Sequence, residues 1–433
     1  MGLLPFCPPF SLFALILAMR SYLHVDMDAG LCRILPLPPE LESYGGRALA
    51  SLLAAQKPGR LCLSPGLLTG CRCASAGRCA VSCSQAGGRV LHSNAGGNAG
   101  PALAALGLAA LVIEPRLGAK KELHDLVIGD GQAHTVPAAT QGLYISSGME
   151  KLASAFPEAA ALISSGPAGE CCLPMASLAF SDHRFRPTSH AGSRSGVLLC
   201  GGGLHSIVIL KKAKEREGES RELAEASRNF MEALKSVRGE GGVSSRGCTS
   251  GCVLDCHKSD AFQPKAGKKG GKSGWPGFRE HWSSGDEAAD ALLMKRFMLL
   301  CDELGVDTVA LGHVMLEAAE HGLFPSGDAE AALNELEKLA VPGSSPLCDL
   351  AKTWSDAAEK PGAKEESLQD VVMDCLGICR FAADAVVQKP AVRDAAMEMV
   401  RCLHGLSPDD LYRMASRVLL AESGQGWEKG GAA

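Results

Sequence analysis

The chain has 433 residues and a formal net charge of −5. That length allows two or three domains with their own cores, and the charge leaves no electrostatic footprint for nucleic acid. Eighteen cysteines are many for such a chain. Disulfide scaffolds are usually short, so the thiols read as ligands or core residues of a reducing compartment, and a cytoplasmic location is expected.

The apolar run from Phe10 to Ala18 lacks a basic flank and is too short and Pro-broken to span a bilayer. Residues 1–18 therefore read as an over-extended start, with Met19 as the working one and a secretory signal as the alternative. From Arg20 to Leu37 the pattern alternates as a hairpin about Asp28-Ala29-Gly30. Tyr44-Gly45-Gly46-Arg47 opens an Ala/Leu helix to about Gln56, and Ser64 to Gly70 is a turn-rich loop. Strands are predicted at Cys79 to Cys83 and Leu111 to Glu114, with a glycine-rich loop, Ser93 to Gly100, and a helix between them. Leu123 to Val136 reads as a second hairpin. Residues 145–180 give a helix and the turn Gly166-Pro167-Ala168-Gly169-Glu170, and Gly196 to Leu210 gives two strand-like runs. Lys211 to Val237 is a charged amphipathic helix. Residues 238–276 are rich in Gly, Ser and Lys, and Asp286 to Glu422 is almost all helix. The fold class is α+β: a β-rich domain over 19–212, then mostly helical domains over 213–433.

Two short segments share a pattern. Asp302-Glu303-Leu304-Gly305-Val306-Asp307-Thr308 and Asp374-Cys375-Leu376-Gly377-Ile378-Cys379-Arg380 both read D-x-x-G-[IV]-[DC]-x. Each follows an amphipathic helix, so its glycine falls at a helix end, where positive φ and close backbone approach are available. A carboxylate there can accept from a planar ring rich in N–H groups, and Cys379 adds a soft ligand for iron. Cys248, Cys252 and Cys256 form a loop of three thiols with few apolar neighbours, suited to an iron–sulfur cluster or zinc. Cys379 would complete a four-thiolate site, and His257 would instead complete a zinc site. Cys71, Cys73, Cys79 and Cys83 read as core thiols, as do Cys200, Cys301 and Cys402. Ser93 to Gly100 is a weak nucleotide signal, because Ala95 stands where the dinucleotide fingerprint has its first glycine.

Taken together, Tyr44 to Arg47, Gly66 to Gly70, Gly77-Arg78, Ser93 to Gly97, Gly166 to Glu170, the Arg246-to-Cys256 loop, both D-x-x-G segments and a final helix from Ser407 resemble the aldehyde:ferredoxin oxidoreductases, in family order over residues 19–423. The resemblance implies a tungsten (or molybdenum) bis-pterin lying on a β-rich base domain, and a [4Fe–4S] cluster. It implies that Arg78, Asn94, Gly96, Gly97 and Arg194 contact the pterins. The two D-x-x-G segments would supply Asp302, Gly305, Asp307, Thr308, Asp374, Gly377 and Arg380, and Cys248, Cys252, Cys256 and Cys379 would hold the cluster. It also implies aldehyde oxidation to a carboxylic acid, with electrons passed to ferredoxin. Glu280 approximates the family's active-site glutamate and is the candidate general base.

The chain departs from the family in three ways. Its cysteine spacing is C-x3-C-x3-C rather than C-x2-C-x3-C. The stretch between Asp307 and Asp374 is shortened, and His313 and His321 within it match no family catalytic motif and read as helix-surface residues. The alternative is therefore a degenerate homologue acting as an iron–sulfur electron-transfer or interaction subunit, and an NAD-linked dehydrogenase rests on Ser93 to Gly100 alone. A small aldehyde and an electron carrier are the expected partners, with no nucleic acid, no membrane and a homo-oligomer as an open option.

Overall fold

A computed structural model describes residues 20–424, apart from residues 72, 86, 115–121, 193, 213–220, 239–247, 250, 251, 253–280, 326, 342–345, 354–366, 380, 381, 383–385, 387 and 388. Twelve strands among these residues form two six-stranded sheets. The first contains β1 (Ser21–Asp26), β2 (Leu31–Pro36), β3 (Leu61–Pro65), β4 (Cys79–Ser84), β5 (Val90–Ala95) and β6 (Leu108–Glu114). The second contains β7 (His124–Ile128), β8 (Ala133–Pro137), β9 (Ala159–Ser165), β10 (Leu178–Ser181), β11 (Pro187–Ala191) and β12 (Leu204–Leu210).

The two sheets follow one path. The first runs β2-β1-β6-β3-β4-β5, and the second, read from the opposite end, runs β8-β7-β12-β9-β10-β11. In each the first and last strands pair in parallel and every other pairing is antiparallel. The domain is therefore a structural duplication about a pseudo-two-fold axis. Period-two alternation sets its layers. Leu61 and Leu63 point to a core shared by both sheets, as do Ile207 and Ile209. Cys62 points to the helices behind the first sheet, and Val208 to those behind the second.

The helices are α1 (Gly46–Ala55), α2 (Ala99–Ala105), α3 (Ile145–Ala155), α4 (Pro167–Glu170), α5 (Ser195–Gly201), α6 (Arg221–Arg238), α7 (Glu287–Leu304), α8 (Thr308–Glu320), α9 (Ala329–Glu337), α10 (Pro346–Thr353), α11 (Leu368–Leu376), α12 (Pro390–His404) and α13 (Pro408–Glu422). Helices α7 to α10 share a core with α4, on the second half of the duplication. Helices α1, α6, α11, α12 and α13 share one behind the first sheet.

Three sequence expectations change. The start of the strand-like stretch Gly196 to Leu210 instead forms α5, where Gly196 sits tight against the backbone of Ala176 and Ser177. Residues 145–180 also contain β9 and β10, which a scan for helix period misses because their inner and outer faces are both buried. The loop Ser93 to Gly100 does lie between strand and helix, but α2 leads to β6, three strands away from β5 and antiparallel to it. A dinucleotide fold needs a parallel βαβ unit there, so the NAD-linked reading falls.

Candidate functional site

Both D-x-x-G segments end a helix with a glycine in the left-handed region, Gly305 at the end of α7 (φ 74°) and Gly377 at the end of α11 (φ 76°). Each docks on a glycine that follows a strand. A Cβ on Gly66, just after β3, would lie 2.2 Å from the Cα of Gly377, and one on Gly166, just after β9, would lie 2.4 Å from the carbonyl oxygen of Leu304. Backbone bonds then fix each segment to its half. Arg78 N–H donates to Gly377 O (3.1 Å), and Ser177 N–H donates to Gly305 O (2.8 Å). Cys379 N–H donates to Ser75 O (2.8 Å), and Asp307 N–H donates to Met175 O (3.0 Å). The segments thus occupy equivalent places in the two halves.

The halves meet at their glycine loops. Gly192 N–H donates to Ser93 Oγ (2.8 Å), and Gly96 N–H donates to Ser189 Oγ (2.9 Å), a reciprocal pair across the pseudo-two-fold axis. Beside it on the first half, Arg78 donates from Nε to Asn94 Oδ1 (3.1 Å) and from Nη2 to the Asn94 carbonyl. This turns the Asn94 amide so that Nδ2 donates to Asp374 Oδ1. On the second half, His190 takes the place of Asn94 and Ser177 that of Arg78. His190 Nε2 lies 3.4 Å from Asp302 Oδ1, and its Nδ1 is 3.2 Å from Ser177 Oγ.

Asp374 is the most supported of the predicted residues. His92 Nε2 (3.4 Å) and Arg47 Nη1 (3.3 Å) face its Oδ2. Burial acts to raise its carboxyl pKa, but His92, Arg47 and Asn94 together hold it at about 2. Arg47 is itself buried and grips Glu422 at the end of α13 through Nε (2.9 Å) and Nη2 (2.6 Å). Asp302, by contrast, has a half-exposed side chain (53 %). Asp307 commits Oδ1 to the N-terminus of α8, accepting from Val309 and Ala310 N–H at 3.0 Å each. Thr308 is the first residue of that helix. Arg194 stands at φ 66° ahead of α5, and its N–H donates to Pro174 O (3.1 Å).

Three predicted thiols also converge on the first half. Cys248, Cys252 and Cys379 are buried. A Cβ on Gly96 would meet Cys248 Sγ at 3.2 Å and Arg78 Nη1 at 3.1 Å, so Gly96 leaves the space they share. The hydrogen bond with Cys252 pushes the Cys248 thiol far up, as do burial and the nearby Cys252 and Cys379 sulfurs, against the pull of Arg78. A positive iron–sulfur unit would reverse that cost by taking the thiols as thiolates, so the donor chemistry fits a cluster. No group of three His, Cys, Asp or Glu among the described residues is arranged to hold a single metal ion. Cys256, Arg380 and Glu280 lie outside the described residues. Cys73, Cys79, Cys83, Cys200 and Cys301 are buried core thiols, and Cys402 is only partly buried.

In the sequence Arg47 stands within the glycine motif Tyr44 to Arg47, and that arginine is the one signal available, because His92, His190 and Glu422 belong to no motif. Glu422 sits in an ordinary amphipathic helix and gives none.

Residues 22–213 match the family model described as aldehyde ferredoxin oxidoreductase, N-terminal domain. The matched residues include the duplicated base with Arg78, Asn94, Gly96 and Gly97. Among solved structures, the chain is similar to the active site complex BamBC of benzoyl coenzyme A reductase in complex with 1,5-dienoyl-CoA. The identity is 16 %, the TM-score 0.56, and the match covers 87 % of this chain and 64 % of that one. At that identity the likeness speaks for the fold, and the chain spans less than two thirds of its structural relative. No curated protein sequence matches the chain. Among the described residues no helix is long and apolar enough to cross a membrane.

Proposed function

We propose that the chain is an oxidoreductase that oxidises an aldehyde to a carboxylic acid at a tungsten or molybdenum bis-pterin centre. The reaction consumes one aldehyde and one water and yields the acid, two protons and two electrons. The electrons leave through a [4Fe–4S] cluster to a ferredoxin. One observation carries this reading. The segment from Asp374 to Cys379 brings an ionised carboxylate to Asn94, whose amide Arg78 holds, and, five residues on, a buried thiol to Cys248, which is hydrogen-bonded to Cys252. A pterin contact and a cluster ligand five residues apart on one segment would hold the two cofactors near each other.

When bound, the metal–pterin group would supply the redox chemistry. The chain's own part is positional. Arg78 fixes the Asn94 amide, and Asp374 stays anionic as an acceptor for ring N–H groups. On the other half, Asp302 and Asp307 would receive the second ring system, with His190 beside Asp302. Cys248, Cys252, Cys256 and Cys379 would hold the cluster, and Glu280 would act as general base.

His313 and His321, the histidines between Asp307 and Asp374, are exposed on α8 and just after it. That favours a second reading, in which a degenerate homologue keeps the cluster as an electron-transfer subunit but turns over no aldehyde. Elemental analysis of anaerobically purified protein separates the two. About four Fe with one W or Mo per chain supports the enzyme. Iron without W or Mo supports the second reading, and zinc alone removes both.

A further inference from the structure

Six side chains from five elements close a ring behind Asp374. Arg47 and Ser51 come from α1, Ser82 from β4, His92 from β5, Asp374 from α11 and Glu422 from α13. Besides the Arg47 contacts already given, Ser51 Oγ donates to Glu422 Oε1 (2.7 Å). Ser51 Oγ and Ser82 Oγ are 3.0 Å apart, Ser82 Oγ and His92 Nδ1 are 3.3 Å apart, and His92 Nε2 faces Asp374 Oδ2 at 3.4 Å.

The direction of each bond follows from proton counting. A carboxylate only accepts, so the single hydroxyl proton of Ser51 goes to Glu422. Ser51 can then only accept from Ser82, which spends the proton of Ser82. Ser82 can in turn only accept from His92, so Nδ1 carries a proton. The other ring nitrogen faces an Asp374 that also receives the Asn94 amide and the Arg47 guanidinium, which together keep it ionised. Nε2 is buried and makes no hydrogen bond, and it faces the Asp374 carboxylate at 3.4 Å; a bare lone pair there would be repulsive, whereas a protonated ring makes an ion pair. The charged groups facing the ring are Asp374 and, through the relay, Glu422. Arg47 balances both carboxylates, and Arg78 acts only through Asn94.

We propose that Glu422, acting through Ser51 and Ser82, holds His92 as the doubly protonated imidazolium and so places a positive charge against the Asp374 carboxylate at the cofactor face. Glu422 and His92 are positioning residues. Only the last step, Asp374 facing a pterin, rests on the function proposed above. The protonation state of His92 belongs to the polypeptide itself.

The test is ring 15N NMR of His92 in the full-length, metal-free chain at neutral pH, with the resonance assigned by its loss in His92→Gln. Both nitrogens are expected in the protonated range. In Glu422→Gln the amide oxygen turns to Arg47 and its NH2 to Ser51, which reverses every donor in the relay. Nδ1 is then expected to move to the unprotonated range while Nε2 stays protonated. Ser51→Ala, a smaller change, frees Ser82 to donate and is expected to give the same shift. A neutral His92 in the wild type, or an unchanged Nδ1 in both variants, overturns the proposal. Metal content does not enter this readout, so its failure and that of the proposed function are distinguishable.

Discussion

Gly66→Ala probes the contact on which the first half of the site depends. Gly66 has an ordinary φ, so alanine meets no backbone strain there. Its Cβ would, however, lie 2.2 Å from both the Cα and the N of Gly377, and 2.4 Å from the carbonyl carbon of Leu376. These are backbone atoms at a helix end, so the end of α11 has to withdraw by more than about 1 Å to reach ordinary contact. Three backbone bonds cross this junction: Leu67 N–H to Cys375 O (3.0 Å), Leu68 N–H to Leu376 O (3.0 Å) and Arg78 N–H to Gly377 O (3.1 Å). Overpacking costs about 1–3 kcal/mol, and each weakened bond costs about 0.5–1.5 kcal/mol. The expected loss is therefore roughly 3–5 kcal/mol, a large share of the roughly 5–15 kcal/mol typical of a domain. The control is Gly201→Ala at the end of α5, where φ is also ordinary and no heavy atom lies within 4 Å of the new Cβ. There alanine is expected to stabilise by about 0.5–1 kcal/mol. Urea unfolding followed by circular dichroism compares the midpoints. If Gly66→Ala unfolds within about 0.5 kcal/mol of the wild type, the tight docking of Gly377 on Gly66 is refuted.

The folded carboxyl of Asp374 is held at about 2, below its ordinary 3.8. A depressed carboxylate contributes stability above its unfolded pKa and loses it as pH falls through the folded one. Wild type should therefore lose about 2 kcal/mol more than Asp374→Asn between pH 4 and pH 2, and parallel acid-unfolding curves would contradict this. Cys248→Ser, Cys252→Ser and Cys379→Ser should each lower bound iron after anaerobic purification, whereas Cys79→Ser, in the core of β4, should leave it unchanged; equal iron in all four would remove these thiols as ligands.

The sequence by itself determined the order of the parts. Alternation gave the two hairpins and β4, turn glycines marked the loops, and the paired D-x-x-G segments were visible as helix ends because glycine tolerates positive φ where other residues do not. Residue chemistry alone made Asp374, Cys379, Cys248 and Cys252 candidates. Tertiary structure decided what periodicity cannot encode. Strands β9 and β10 are buried on both faces, and α5 is a seven-residue helix of strand-like composition whose Gly196 sits tight against a neighbouring backbone. The sheet duplication appears only in strand pairing, since corresponding residues such as Asn94 and His190, or Arg78 and Ser177, differ in chemistry while sharing a place. The ring through Arg47, Ser51, Ser82, His92, Asp374 and Glu422 was equally hidden. Its members come from five elements spread across most of the chain, and a hydrogen bond depends on separation in space, which spacing along the sequence does not fix.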